Sequence, residues 1–221
     1  MYEEIAVSAE ASFIDFIIRG EGEAAFRRLI NALGGNDRFE EIPSLSFKEG
    51  AGFINNPRGE LLDLSKLKLP IRDQRRLTRG YHIMDGKVEV IETSRGCTRA
   101  CNFCSMNHMY GRTFRPFPQE RILADIEDIY FKRKTRWIFV ADDNLVLEPA
   151  RVSALCDAII ARKFRNLNFV AQGSLGHVDR DVQIDIVVLA AKVGMRLDGQ
   201  EDVEMPRRAP VNASIALASD A

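Results

Sequence analysis

Three of the chain's four cysteines fall in one short segment, Thr93-Ser94-Arg95-Gly96-Cys97-Thr98-Arg99-Ala100-Cys101-Asn102-Phe103-Cys104. Clustered thiols staple a fold, pack as small hydrophobes, do redox chemistry or bind metal. The spacing i, i+4, i+7 would suit a buried helical stripe. Gly96 and Asn102 are poor helix residues, however, and Thr98 and Arg99 between the cysteines are polar. A structural zinc site wants four ligands, and the fourth candidate, His108, stands isolated beyond Cys104. Iron–sulfur chemistry fits better, because thiolates hold such clusters. Three cysteines on a four-iron cubane leave one iron without a protein ligand. That open position admits a substrate, by the logic that separates catalytic from structural zinc. Arg95, Arg99, Arg112 and Arg115 would offset the negative charge of a thiolate-ligated cluster.

The segment must be held by something rigid. Val88–Thr93 reads as a strand leading straight into it. Trp137–Val140 is a second strand, with the nearly continuous apolar character of a buried parallel strand. Leu167–Ala171 is a third, and Met195–Leu197 begins a fourth. Between them come helices. One starts with Pro118 as its first residue and carries the stripe Ile122, Leu123, Ile126, Ile129 and Tyr130. The next opens at Pro149 with Val152, Leu155, Ile159 and Ile160, and Cys156 on that face reads as a small core hydrophobe. Residues 181–193 form a third, ended by Gly194. Strand–helix alternation means a parallel sheet with right-handed crossovers, closed into a barrel or left open. The span has room for three βα units and a fourth strand, not for eight. In α/β barrels the carboxyl ends of the strands carry the chemistry. Those positions hold Asp142, Asp143 and Asn144 after the second strand, and Gln172 and Ser174 after the third. For 142–144 the competing reading is a turn and cap ahead of Pro149.

The front of the chain differs. Ile14–Arg19 is a short β-rich run, and Phe26, Leu29, Ile30 and Leu33 mark one helical face, stopped by Gly34-Gly35. Ser44–Phe47 and Gly52–Ile54 flank Lys48-Glu49-Gly50 as a hairpin. Residues 55–80, with Pro57 and Pro70, lose periodicity and read as a connection. Gly20-Glu21-Gly22-Glu23-Ala24-Ala25 formally fits a dinucleotide fingerprint. A tight turn with glutamates in the first helical turn explains it without a ligand. Ala209–Ala221 has no periodicity and reads as a frayed tail.

Composition bounds the rest. Among 221 residues, 31 Lys+Arg stand against 32 Asp+Glu, and 46% are hydrophobic, a globular balance that argues against disorder. The net charge of −1 argues against nucleic acid as principal partner. No apolar run approaches the roughly 18–20 residues of a membrane helix. Met1-Tyr2-Glu3-Glu4 does not open a secretory signal. By elimination, the cytoplasm is expected.

C-x3-C-x2-C with an aromatic before the last cysteine, here Cys97, Cys101, Phe103 and Cys104, resembles the signature of the radical S-adenosylmethionine (radical SAM) superfamily. Glu92-Thr93-Ser94-Arg95-Gly96-Cys97 is similar to the subgroup whose members carry an N-terminal cobalamin-binding domain. Asp15–Glu23 resembles the last strand and helix of that domain. The resemblance covers roughly residues 13–205 and is strongest over 91–144. It implies an α/β fold: a partial (βα) TIM-like barrel of radical SAM type, preceded by a remnant of a Rossmann-like B12-binding domain. The implied division is 1–40 for the remnant, 41–80 for hairpin and linker, 81–205 for an incomplete barrel and 206–221 for a disordered tail. Both ends then read as truncated.

By the same resemblance, Cys97, Cys101 and Cys104 hold a [4Fe–4S] cluster. S-adenosylmethionine chelates the fourth iron, and one electron cleaves its sulfonium to a 5′-deoxyadenosyl radical. Hydrogen abstraction, methyl transfer or cyclisation on an unknown substrate follows. Phe103 would lie near the adenine; Asp142, Asp143 and Asn144 replace the family's usual Gly-Gly-Glu at the amino group. Gln172 and Ser174 would reach the ribose or methionyl carboxylate, and Gly199-Gln200-Glu201 sits where the family has Gly-x-Glu. Implied partners are a one-electron reductant such as flavodoxin or ferredoxin, and a separate chain supplying the missing domain. Cobalamin belongs to the full-length family, but its ligand pattern D-x-H-x-x-G is absent: none of His82, His108 and His177 fits it. The alternative is a truncated, non-catalytic iron–sulfur or zinc-binding remnant.

Overall fold

Short alternating strands at the front of the chain and apolar ones behind it build separate sheets, with a two-stranded ribbon besides. The computed structural model describes residues 13–50, 52–73, 82–83, 86–102, 104–174 and 216–218. They fall into two units. One runs up to Asp63 and includes His108–Tyr110; the other takes Leu64–Asn107 and the chain from Gly111 on.

In the first unit, strands β1 (Phe16–Ile18), β2 (Leu45–Glu49) and β3 (Gly52–Asn55) form a sheet in that order. Both pairings are antiparallel, Phe16 opposite Phe47 and Phe47 opposite Ile54. The hairpin turns at Gly50, whose φ of 60° is cheap only for glycine. Helix α1 (Glu23–Leu33) ends at Gly34, where the sequence stops it. Its inward residues are Ala25 and Leu29, packed with Ile42, Leu45 and Phe47. Of the four residues expected to share the buried face, only Leu29 is buried, while Phe26, Ile30 and Leu33 are exposed. The i, i+4 pair Ala25–Leu29 sets the inward stripe, and the larger side chains lie beside it. The expected division at residue 40 falls inside this unit, because β1 before it pairs with β2 after it.

The second unit carries the parallel sheet. Strands β4 (His82–Ile83), β5 (Gly86–Ile91), β8 (Trp137–Val140), β9 (Asn168–Ser174) and β10 (Ala216–Ala218) lie in the order β10-β9-β8-β5-β4. Two further short strands, β6 (Ser94–Arg95) and β7 (Arg115–Pro116), pair with each other. β5, β8 and β9 are parallel, with Ile91, Val140 and Ala171 in one row and Val90, Phe139 and Val170 in the next. Successive residues alternate faces. A short helix, α2 (Met106–Tyr110), follows the cysteine segment. The first row is buried under helices α3 (Gln119–Glu127) and α4 (Pro149–Ala161), with Ile122, Ile126, Val152, Leu155, Cys156 and Ile159 completing the core. α4 begins at Pro149 as expected; Pro118 is the cap of α3 rather than its first residue, its ψ of 136° being extended. α3 continues as a π-helical segment, Asp128–Arg133, that ends at Lys134 with φ 54°.

Two expectations are corrected. The connection is packed: Leu64 is buried, and the Arg72 guanidinium is enclosed among Glu89, Asp125 and Asp128, also donating to the Val90 carbonyl at 2.9 Å. The tail is not wholly irregular, since Ala216–Ala218 pairs in parallel with Gln172–Ser174. The expected helix at 181–193, the strand Met195–Leu197 and Gly199-Gln200-Glu201 lie outside the described residues. No helix among the described residues is long and apolar enough to cross a membrane.

Candidate functional site

The cysteine segment begins where β5 stops. Its base is a two-stranded ribbon, β6 paired antiparallel with β7, Ser94 opposite Pro116 and Arg95 opposite Arg115. The Phe117 N–H donates to the Thr93 carbonyl at 3.0 Å, so the ribbon is tied to the strand end. Everything from Gly96 to Phe114 is therefore one excursion closed at its foot. Gly96 is the entry point, with φ 84°; a Cβ there would meet the Thr113 carbonyl oxygen at 2.3 Å. Glycine is required twice over, by conformation and by space.

Cys97, Cys101 and Cys104 are half-buried free thiols, and the Cys104 N–H donates to the Cys101 carbonyl at 3.2 Å. Among the described residues, no three His, Cys, Asp or Glu side chains stand grouped as a metal shell. The donor set is nevertheless three soft thiolate ligands on one short loop, which suits iron–sulfur or zinc. Phe103 lies outside the described residues. Arg95 is paired with Glu92 at 2.8 Å, its guanidinium 5.7 Å from the Phe117 ring centroid. The cysteine segment follows that pair directly.

The end of β8 meets this foot. Ala141 extends the ladder, its N–H donating to the Ile91 carbonyl at 2.9 Å. Asp142 then falls two residues beyond Val140, on the same inward face. Its side chain is fully enclosed. One carboxylate oxygen accepts the Thr93 N–H at 2.6 Å; the other accepts the Thr93 and Ser94 hydroxyls, each at 2.5 Å. Both oxygens of Asp142, expected at a bound cofactor, are thus engaged by Thr93 and Ser94. The signal was present in the sequence: period-2 alternation puts Asp142 on the face of Ile138 and Val140.

Asp143 faces otherwise. It is half-buried, and its carboxylate accepts the Gly96 N–H at 2.8 Å. Burial pushes its pKa up; the Gly96 N–H opposes this, the Asp142 charge adds to it and Arg95 opposes it. Asn144 is buried beneath Gly173 of β9, where a Cβ would come within 2.8 Å of Val146. Gln172 is exposed at the carboxyl end of β9. Ser174 ends that strand.

Arg151 was not singled out by sequence reasoning. It sits in the first turn of α4 and reaches back to the foot of the loop. Its guanidinium donates to the Thr93 hydroxyl at 3.1 Å and the Leu145 carbonyl at 3.0 Å, and lies 3.8 Å from the Asp142 carboxylate. It also stands 5.4 Å from the Phe114 ring centroid, at the far end of the excursion. Burial lowers its pKa, and Asp142 and Glu148 counter that. An arginine two residues past the helix-opening Pro149 carries no local motif, so only the fold reveals it.

No family model matches the chain. Curated relatives do. It is 32% identical over 155 residues to the hopanoid C-3 methylase of Methylococcus capsulatus, covering 69% of this chain and 28% of that protein. It is 28% identical over 186 residues to the anaerobic magnesium-protoporphyrin IX monomethyl ester cyclase of Synechocystis sp., covering 82% and 36%. It is 26% identical over 153 residues to the cobalamin-dependent radical SAM methyltransferase TokK of Streptomyces tokunonensis, covering 62% and 21%. The fold is similar to that of the radical SAM methyltransferase TsrM of Kitasatospora setae, solved with cobalamin and a [4Fe–4S] cluster. There the TM-score is 0.67 at 17% identity, over 86% of this chain and 38% of that one. A parallel sheet with a three-cysteine loop at its carboxyl edge, together with these relatives, defines the class: the chain belongs to the radical SAM superfamily, in the cobalamin-associated subgroup. It spans about a third or less of the length of the curated relatives it matches.

Proposed function

We propose that this chain holds a [4Fe–4S] cluster through Cys97, Cys101 and Cys104 and binds S-adenosylmethionine across the carboxyl ends of β5, β8 and β9. The observation that carries the reading is the foot of the loop. Three half-buried thiols follow a glycine that only glycine can occupy, and the next strand's acidic pair is bonded to both sides of that glycine's approach. When bound, the cluster supplies one electron for cleavage of the sulfonium.

The chain's residues do the rest. Cys97, Cys101 and Cys104 would hold the cluster, and the ligand's amino and carboxylate groups would bind beside them. Asp143 and Asn144 lie where the amino group would come, and Gln172 and Ser174 where the ribose or carboxylate would. Phe103 is assigned to the adenine. The sheet face with exposed Val90 and half-buried Phe139 and Val170 would be the wall of a partial barrel turned toward the reacting carbon. Methyl transfer or ring formation on an unidentified substrate fits the relatives, which include methyltransferases and a cyclase. Residues 13–33 would be the end of a B12-binding-like domain, with a separate chain supplying the rest of it. A flavodoxin- or ferredoxin-type donor would supply the electron, and the free thiols suit a reducing cytoplasm.

The test is anaerobic reconstitution with iron and sulfide, then reduction and addition of S-adenosylmethionine. A cluster EPR signal that shifts with S-adenosylmethionine, with 5′-deoxyadenosine formed and lost in Cys101→Ala, supports the reading. A cluster that neither shifts nor turns over makes the chain a non-catalytic iron–sulfur module. Absence of bound iron overturns the assignment.

A further inference from the structure

We infer that Asp142 is a positioning residue for the cysteine loop, with Arg151 as its counter-charge, and that it takes no part in holding S-adenosylmethionine. The inference deepens the function proposed above and rests on it for the identity of the metal group, not for the geometry. Both oxygens of Asp142 are engaged by the two residues that precede Arg95 and Gly96. The side chain is fully enclosed, so a ligand cannot reach it without breaking the fold locally. A buried carboxylate is tolerable only when hydrogen-bonded and charge-compensated. The three donors meet the first need, and Arg151, at 3.8 Å, the second.

The direction of control follows from connectivity. Thr93 and Ser94 continue from β5 and lead into the ribbon, and Gly96 and Cys97 follow. Asp142 is fixed by β8, whose ladder to β5 extends to the Ala141 N–H. The carboxylate thus clamps the chain entering the loop to a neighbouring strand rather than to its own. Arg151 adds a third element, α4, and its stacking beside Phe114 touches the chain where the loop returns. The entry and exit of the thiol-bearing excursion are referenced to one buried ion pair. Groups that orient metal ligands from outside the coordination shell are known to matter: their loss commonly costs about 10–100-fold in metal affinity. Asp142 acts one step further out, so the low end of that range applies.

The experiment uses the full chain with Asp142→Asn, Thr93→Val and Thr93→Ser. After anaerobic reconstitution, the rate of iron loss to a chelator is measured for each. In parallel, amide hydrogen exchange is followed across residues 93–97 of the metal-free chain. Asp142→Asn and Thr93→Val should each accelerate iron loss by roughly tenfold and speed exchange at Thr93 and Gly96. Thr93→Ser keeps the hydroxyl and should behave as wild type. The Asp142→Asn/Thr93→Val double variant should lose less than the sum of the two single ones, because both act on the bond from the Thr93 hydroxyl to Asp142. If Asp142→Asn does not fold, Ser94→Ala removes one donor only and should give a smaller change in the same direction. Wild-type iron retention and exchange in Asp142→Asn would overturn the inference. So would normal iron retention with weakened S-adenosylmethionine binding, which would make Asp142 a ligand contact. If the wild-type chain binds no iron, the functional proposal fails, and the exchange measurement still decides whether Asp142 braces the loop.

Discussion

Gly96 is where the sequence is least replaceable. Its φ of 84° and the Thr113 carbonyl 2.3 Å from any Cβ mean that Gly96→Ala must move the loop's entry. The left-handed conformation alone costs a non-glycine residue about 1–2 kcal/mol, and the clash adds to it. The expected outcome is a lower melting temperature and less iron per chain, measured on the reconstituted protein. Asp143 gives a pH prediction. Its folded pKa is raised, chiefly by burial, so its ionised form is disfavoured in the native chain. The group therefore costs stability above the unfolded carboxylate pKa, and that cost disappears as pH falls through the raised folded value. Asp143→Asn should be more stable than wild type, relative to its own baseline, at pH 7 than at pH 4, as urea titrations of the metal-free chain at the two pH values would show. At this scale the sequence revealed the thiols through their spacing and the acidic pair through its place after a strand. It did not show that the pair splits, one carboxylate inward and one toward the loop, although alternation along β8 implies it. Arg151 was invisible, because its partners are 58 and 9 residues away, at Thr93 and Asp142.

Among elements, the parallel strands and their helices were legible because each has a distinct period. Trp137–Val140 coincides with β8, and Pro149 opens α4. The connection over residues 55–80 was not legible, because its anchor is a charge. Arg72 lies in a stretch without periodicity, yet its guanidinium is held against Asp125, Glu89 at 3.2 Å and Asp128 at 3.8 Å. Charged side chains are almost never fully buried unless paired, and this pairing is long-range. Removing one partner of such a group leaves carboxylates uncompensated inside the protein. Arg72→Met should therefore cost roughly 3–5 kcal/mol, and a denaturant titration followed by circular dichroism would measure it. The face of α1 was misjudged for a different reason. Hydrophobicity marked Phe26, Ile30 and Leu33, but Ala25 and Leu29 make the close contact with Leu45 and Phe47.

For the molecule as a whole, the two units answer to different tests. The first holds an ion pair between Arg28 and Asp37 at 2.7 Å. The Arg28 guanidinium, with the Arg38 N–H, lowers the Asp37 pKa to about 2. A depressed carboxylate contributes stability that is present above the unfolded pKa and is lost as pH falls through the folded value. Acid titration between pH 4 and 2 should weaken this unit in the wild type, and Asp37→Asn should flatten that part of the curve, read by amide exchange in α1. The second unit carries the three clustered thiols, and its reading as a radical SAM core came from motif and alternation together. What could not be read was the sheet's fourth parallel position, filled by Ala216–Ala218 from a segment with no strand-like alternation.

The ribbon formed by Ser94–Arg95 and Arg115–Pro116 has a consequence for how the protein matures. A free loop must lose entropy when its ends are brought together, and that loss falls on whichever event closes it. Here backbone hydrogen bonds close it, so folding bears the loss and metal arrival does not. Small metal domains that lack such closure are unfolded until loaded. This chain should instead offer a folded acceptor to whatever delivers iron and sulfide, and should keep its fold when a chelator takes them away.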